Sequence, residues 1–77
     1  MKTVTHVIHT PFIRLDSFLK LNGLTLSGGQ AKTLIQEGRV LVNDECCTQR
    51  GKKLRPGDLV RLSDDSTAYM VGEQEQN

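Results

Sequence analysis

Tryptophan is absent from this 77-residue chain, and one tyrosine and two phenylalanines leave aromatic residues at 4%. A stacking platform for unpaired bases therefore has little to build on. No apolar run approaches the roughly 18 residues of a membrane-spanning helix, so no membrane role is expected. The opening MKTVTHVIHTPF carries one lysine and an interrupted apolar pattern, which does not describe a secretory leader. A cytoplasmic protein is the expectation. The only two cysteines, Cys46 and Cys47, are adjacent. A disulfide between neighbours is strained, and two thiols fall short of a metal site. They are expected as free thiols in a strand or turn, with no metal and no cofactor. His6 and His9 lie in an extended-looking segment and read as surface residues on opposite sides of a strand.

What remains is one small domain spanning residues 1–77, near the size at which a single core is just sufficient. The net charge of +1 conceals an asymmetry. Nine lysines and arginines stand against five acids between Arg14 and Arg61, whereas residues 62–77 hold four acids and no base. A basic centre with an acidic tail points to a polyanionic partner.

Residues 3–9, TVTHVIH, are rich in β-branched types and read as a strand ended by Thr10-Pro11. Leu15, Phe18 and Leu19 then recur at helical spacing, and Gly23 stops a helix of two turns. Ser27 with Gln30 forms an S-x-x-Q capping box, Ala31, Leu34 and Ile35 supply the apolar face, and Gly38 ends this second helix. The period changes to two in RVLVN, and Asn43-Asp44 suits a tight hairpin. RPGD reads as a type II turn around Pro56 and Gly57, LVRLS as a strand, and TAYMV (67–71) as the last strand before a polar tail at 72–77. Phe12, Phe18 and Tyr69 read as core. The order β-α-α-β-β-β predicts an α+β fold: a helix pair on a small twisted, mainly antiparallel sheet. The first and last strands are expected to pair, as short edge elements.

LSGGQ, residues 26–30, matches the signature of ABC-transporter ATPases. That signature acts only beside a G-x-x-x-x-G-K-[ST] phosphate loop, and the chain has none. Nucleotide binding is therefore not expected. Nothing gathers Ser, His and acidic residues into a catalytic group, and the Cys pair has no evident activating base. The chain reads as a non-enzyme.

The stretch IRLDSFLKLNGLTLSGGQAKTLIQEGRVLVND, followed by KLRPGDLVRL, resembles the S4-like, αL-motif RNA-binding domain. Arg14-Leu15-Asp16 match the opening of that family's first helix; Ser27, Ala31, Leu34, Ile35 and Gly38 match its second. Val40, Val42 and Asn43 match the following strand, and Pro56-Gly57-Asp58 the later turn. The match covers residues 13–62 and is most similar to small free-standing bacterial members with a short added strand at each end. The resemblance implies the fold and a structured RNA partner, ribosomal or transfer RNA, with the ribosome itself as a further candidate partner. One departure stands out. Gly28 and Gly29 follow the serine where the family usually carries arginine.

A helix N-terminus presents unpaired N–H groups to a phosphate, and glycines there leave the approach open. Ser27, Gly28, Gly29 and Gln30 are thus candidate contacts, flanked by Lys32 and Arg14. Arg39, Arg50, Lys52, Lys53 and Arg55 are candidates to track the RNA backbone. Each also has an ordinary reading as a solvated surface charge or a cap. Recognition by shape and phosphate contact fits the scarcity of aromatics. A monomer is expected. The alternatives are a protein-interaction module that keeps the fold without RNA binding, motivated by the missing arginines, and duplex DNA binding, for which no helix carries several base-reading side chains.

Overall fold

Stiff β-branched side chains suit a pleated strand, and Thr3, Val4, Thr5, Val7 and Ile8 lie within β1 (Lys2–Ile8). The computed structural model describes residues 2–73. β2 (Ile13–Arg14) leads directly into α1 (Leu15–Leu21), and α2 spans Gly28–Gln36. Then come β3 (Val40–Val42), β4 (Glu45–Cys46), β5 (Lys53–Leu54), β6 (Leu59–Leu62) and β7 (Thr67–Glu73). The α+β expectation holds. β2, β4 and β5 are additions to the expected order, each two residues long and too short for a period-two pattern to mark.

The main sheet runs β1-β7-β6-β3-β4, with β1 parallel to β7 and the other pairs antiparallel. β2 and β5 form a separate antiparallel pair. The first and last strands do pair, but they are not short edge elements. Each has seven residues, and β7 lies inside the sheet between β1 and β6. A parallel pair needs a crossover, which here is the intervening body of the chain. β7 also runs past Val71, because Gly72 and Glu73 pair with Val7 and Ile8. The rest of the expected tail, 74–77, lies outside the described residues. His9 falls just beyond β1, and His6 is half-buried within it.

Both helices stop in the same way. Gly23 and Leu24 donate back to Lys20 and Leu19, and Gly38 and Arg39 to Ile35 and Leu34, the paired bonds of a glycine-ended helix. The buried face of α1 is Leu15, Phe18 and Leu19; that of α2 is Ala31 and Ile35, with Leu34 half-buried beside them. They pack with Ile8, Val40, Val42, Leu54, Val60 and Val71. Phe18 and Tyr69 join this core as expected. Phe12 does not: it precedes β2 outside any element and is exposed, and the Lys53 ammonium lies 4.9 Å from its ring centroid.

Two turns lock to each other. Asn43 and Asp44 both take positive φ, 53° and 67°, the conformation of a two-residue type I′ hairpin between β3 and β4. The RPGD turn closes with Asp58 N–H donating to the Arg55 carbonyl at 3.0 Å, and Gly57 takes the positive φ of a type II turn. The Asp58 carboxylate accepts from Arg55 N–H and from the Asn43 amide, while Asn43 Oδ1 accepts from Leu59 N–H.

Gly72 is a matter of space. A Cβ there would lie 2.8 Å from Thr5 Cγ2 and 3.2 Å from Val7 Cγ2. Both neighbours are β-branched and cannot swing clear. Gly72→Val is expected to cost about 1–3 kcal/mol by overpacking the β1–β7 pair, read as a lowered urea midpoint. Gly28→Ala, with nothing within 4 Å of its added carbon, should leave the midpoint nearly unchanged.

Candidate nucleic-acid interface

The start of α1 is built from two distant pieces of chain. Ile13 and Arg14 pair with Leu54 and Lys53 across β2–β5. Leu15 N–H then donates to the Lys52 carbonyl at 2.8 Å, and Asp16 N–H to that of Arg50 at 3.3 Å. The first amides of α1, which have no partner inside the helix, are thereby satisfied by the returning segment. Arg14 at the N-cap makes no side-chain cap bond, so these two amides depend on that segment. The pairing gathers Arg14, Arg50, Lys52 and Lys53 on one edge, all exposed.

Asp16 sits among these cations. Its side chain is only 15% exposed, accepts from Ser17 N–H at 2.8 Å, and holds Arg14 Nη2 at 3.3 Å and Arg50 Nε at 3.8 Å. The two arginine side chains remain about half exposed, at 52% and 46%. Asp16 was legible only as part of the R-L-D opening; its partner Arg50 lies too far along the chain for any spacing rule to find. Phe12, under Lys53, was equally hidden.

The start of α2 is a separate feature. Ser27 has extended backbone and its Oγ accepts from Gln30 N–H at 3.2 Å. The return bond of the box goes one residue further out than expected: Gln30 Oε1 accepts from Leu26 N–H at 2.7 Å, not from that of Ser27. Gly28 and Gly29 supply the first two helical amides, which have no intrahelical partner, and neither glycine has a side chain of its own to stand over them. Leu26 is 88% exposed, and Leu21 at the end of α1 is 48% exposed.

Lys32 is exposed on α2, Arg39 lies between α2 and β3, and Arg55 opens the RPGD turn. Among the described residues no hydrogen bond or ion pair joins these three to the α1 cluster. Arg39 is fixed through its carbonyl, which accepts from Ser63 N–H at 2.8 Å. Cys46 and Cys47 are free thiols, as expected. No helix among the described residues is long and apolar enough to cross a membrane, and no group of three potential metal ligands occurs among them.

A helix pair on a twisted mixed sheet, with cations drawn to the first helix start, defines an α+β domain with one cationic edge. The chain belongs to the S4 domain family, whose model matches residues 6–71. It is 49% identical over 55 residues to the probable ribosome maturation protein RlbA of Bacillus subtilis (strain 168), covering 71% of this chain and 78% of that one. It is also 33% identical over 67 residues to the small ribosomal subunit protein uS4 of Kosmotoga olearia, covering 87% of this chain. The match spans about a third (32%) of that longer relative.

The cap makes α2 testable on its own. Ser27→Ala removes an N-cap acceptor and should lower stability by about 1 kcal/mol in urea denaturation. Gln30→Ala, which frees only the exposed Leu26 amide, should cost less.

Proposed function

We propose that this protein is a non-catalytic RNA-binding factor of the cytoplasm that acts with the ribosome, residues 1–77 serving as one S4 domain. The observation that carries the reading is the gathering of Arg14, Arg50, Lys52 and Lys53 at the start of α1 by the β2–β5 pair. Membership of the S4 family and the names of the two relatives, a ribosome maturation protein and a ribosomal protein, support the same direction.

The chemistry is phosphate recognition. A guanidinium meets a phosphate with two parallel N–H donors, whereas a lysine acts as a compact point charge. Arg14 and Arg50, held by Asp16, are the positioned forks; Lys52 and Lys53 extend the positive edge. At α2, the Gly28 and Gly29 amides and the adjacent Lys32 receive a second phosphate, the helix dipole standing in for the family's arginines. Ser27 and Gln30 fix that helix start. Arg39 and Arg55 track the strand further along. With so few aromatic side chains, the target is structured ribosomal or transfer RNA read by shape, bound by a monomer.

A second reading, a protein-contact module, is favoured by Leu26, an apolar side chain left almost fully exposed beside the glycines. Salt dependence separates the two. Affinity for ribosomal RNA fragments or transfer RNA should fall steeply with salt, by roughly 0.7–0.9 log units per log unit of salt for each phosphate neutralised. Lys52→Glu with Lys53→Glu should weaken binding and flatten that slope by about two phosphates' worth. Binding to ribosomal subunits that ignores both salt and the double substitution would favour the protein-contact reading.

A further inference from the structure

The β3–β4 hairpin and residues 47–52 border an open groove of about 420 Å³. Its size lies within the ~300–1,000 Å³ of small-ligand sites. Val42, nearly buried, and Cys47, half-buried, supply its apolar part. One wall is already hydrogen-bonded, because Asn43 and Asp58 pair their side chains with each other and with the Leu59 and Arg55 amides. The other lining groups are different. The side chains of Glu45, Thr48, Gln49 and Lys52 have no hydrogen-bond partner among the described residues, yet the backbone carrying three of them is tied down. Lys52 N–H donates to the Gln49 carbonyl at 3.2 Å, and that carbonyl also receives the Cys47 thiol at 3.8 Å.

The groove thus offers free donors and acceptors on a fixed frame: a hydroxyl, a carboxamide, a carboxylate and an ammonium. It also adjoins the cationic edge through one residue. The Lys52 side chain lines the groove while the Lys52 carbonyl caps α1 beside Arg14 and Arg50. A backbone phosphate on those arginines would lie beside a segment that also borders the groove. A base held in a duplex cannot enter, because its edge is paired and its faces are stacked.

We infer that this groove receives one unpaired nucleoside of the bound RNA, with Thr48 and Gln49 meeting the base edge, Glu45 accepting from an exocyclic amine, and Lys52 holding the adjoining phosphate. The inference rests on the RNA-binding reading above. It adds a base-reading contact to what is otherwise recognition by phosphate and shape, and it favours amino-bearing bases, since a carboxylate only accepts.

Two hairpin RNAs with one stem sequence, one carrying a single bulged cytidine, test it by fluorescence anisotropy. The wild-type chain should prefer the bulged RNA by about tenfold, the scale of one good base-edge contact. The variant carrying Glu45→Ala, Thr48→Ala and Gln49→Ala, all exposed and free of side-chain bonds, should lose that preference. Equal wild-type affinity for the two RNAs, or a preference that survives in the variant, overturns the groove while leaving RNA binding standing. Failure of the wild type to bind either RNA overturns both.

Discussion

The hydrogen bond from Leu15 N–H to the Lys52 carbonyl, with the two-residue β2–β5 pair beside it, is the contact on which the cationic edge depends. Bringing these distant segments together costs loop-closure entropy. Leu54, wholly buried in the core, and the satisfied amides of the α1 start offset it. The same contact concentrates like charge, since Arg14 and Lys53 face each other in register. Asp16 offsets part of that repulsion, and Lys53 finds a further partner in the Phe12 ring. Fold and charge pattern are thus one construction, because the segment that closes the core also carries the cations.

The α2 start solves a different problem by different means. Two glycines at the first helical positions would weaken a helix interior, but at an exposed start the loss is small and the backbone stays accessible. Order comes from the flanks. Ser27 caps inward, Gln30 reaches outward to Leu26, and Thr33 donates to the Gly29 carbonyl at 3.1 Å. The helix start that carries the Gly28 and Gly29 amides is therefore held by its neighbours rather than by side chains of its own. Arginine at these positions would reach further but would have to be ordered on binding; a bare amide has no rotamer freedom to lose.

The sequence showed most clearly what is local. Leu15, Phe18 and Leu19 at helical spacing, the Ser27 cap, the glycines that stop both helices, the Asn43-Asp44 hairpin and the Pro56-Gly57 turn are each decided within a few residues, and each was readable. The α+β class followed from their order. The position of β7 was not readable, because strand order depends on pairings that no window of sequence contains. Nor was the length of β7, since Gly72 argues against a strand until Thr5 and Val7 are seen pressed against it. At the candidate site the cation types were visible but not their grouping. Arg14, Arg50, Lys52 and Lys53 come together through a backbone pairing two residues long, whereas no hydrogen bond or ion pair among the described residues joins Lys32, Arg39 and Arg55, equally prominent in sequence, to them.

Placing a carboxylate among the cations proposed to meet phosphate looks self-defeating, yet the geometry of Asp16 is compatible with that proposal. Ion pairs this exposed contribute about 0–1 kcal/mol, so turning either guanidinium from Asp16 toward an incoming phosphate forfeits little. Arg50, at 3.8 Å, is the looser of the two; Arg14, at 3.3 Å, is the firmer. Meanwhile the largely buried carboxylate limits where both arginines can lie, so part of the ordering that a ligand would otherwise impose is already done at folding. Lysines at these positions, with flexible stems and no planar fork, would gain less from such a hub. Asp16 therefore contributes less as a counter-charge than as a brace, giving up some field strength so that the charge that remains is aimed.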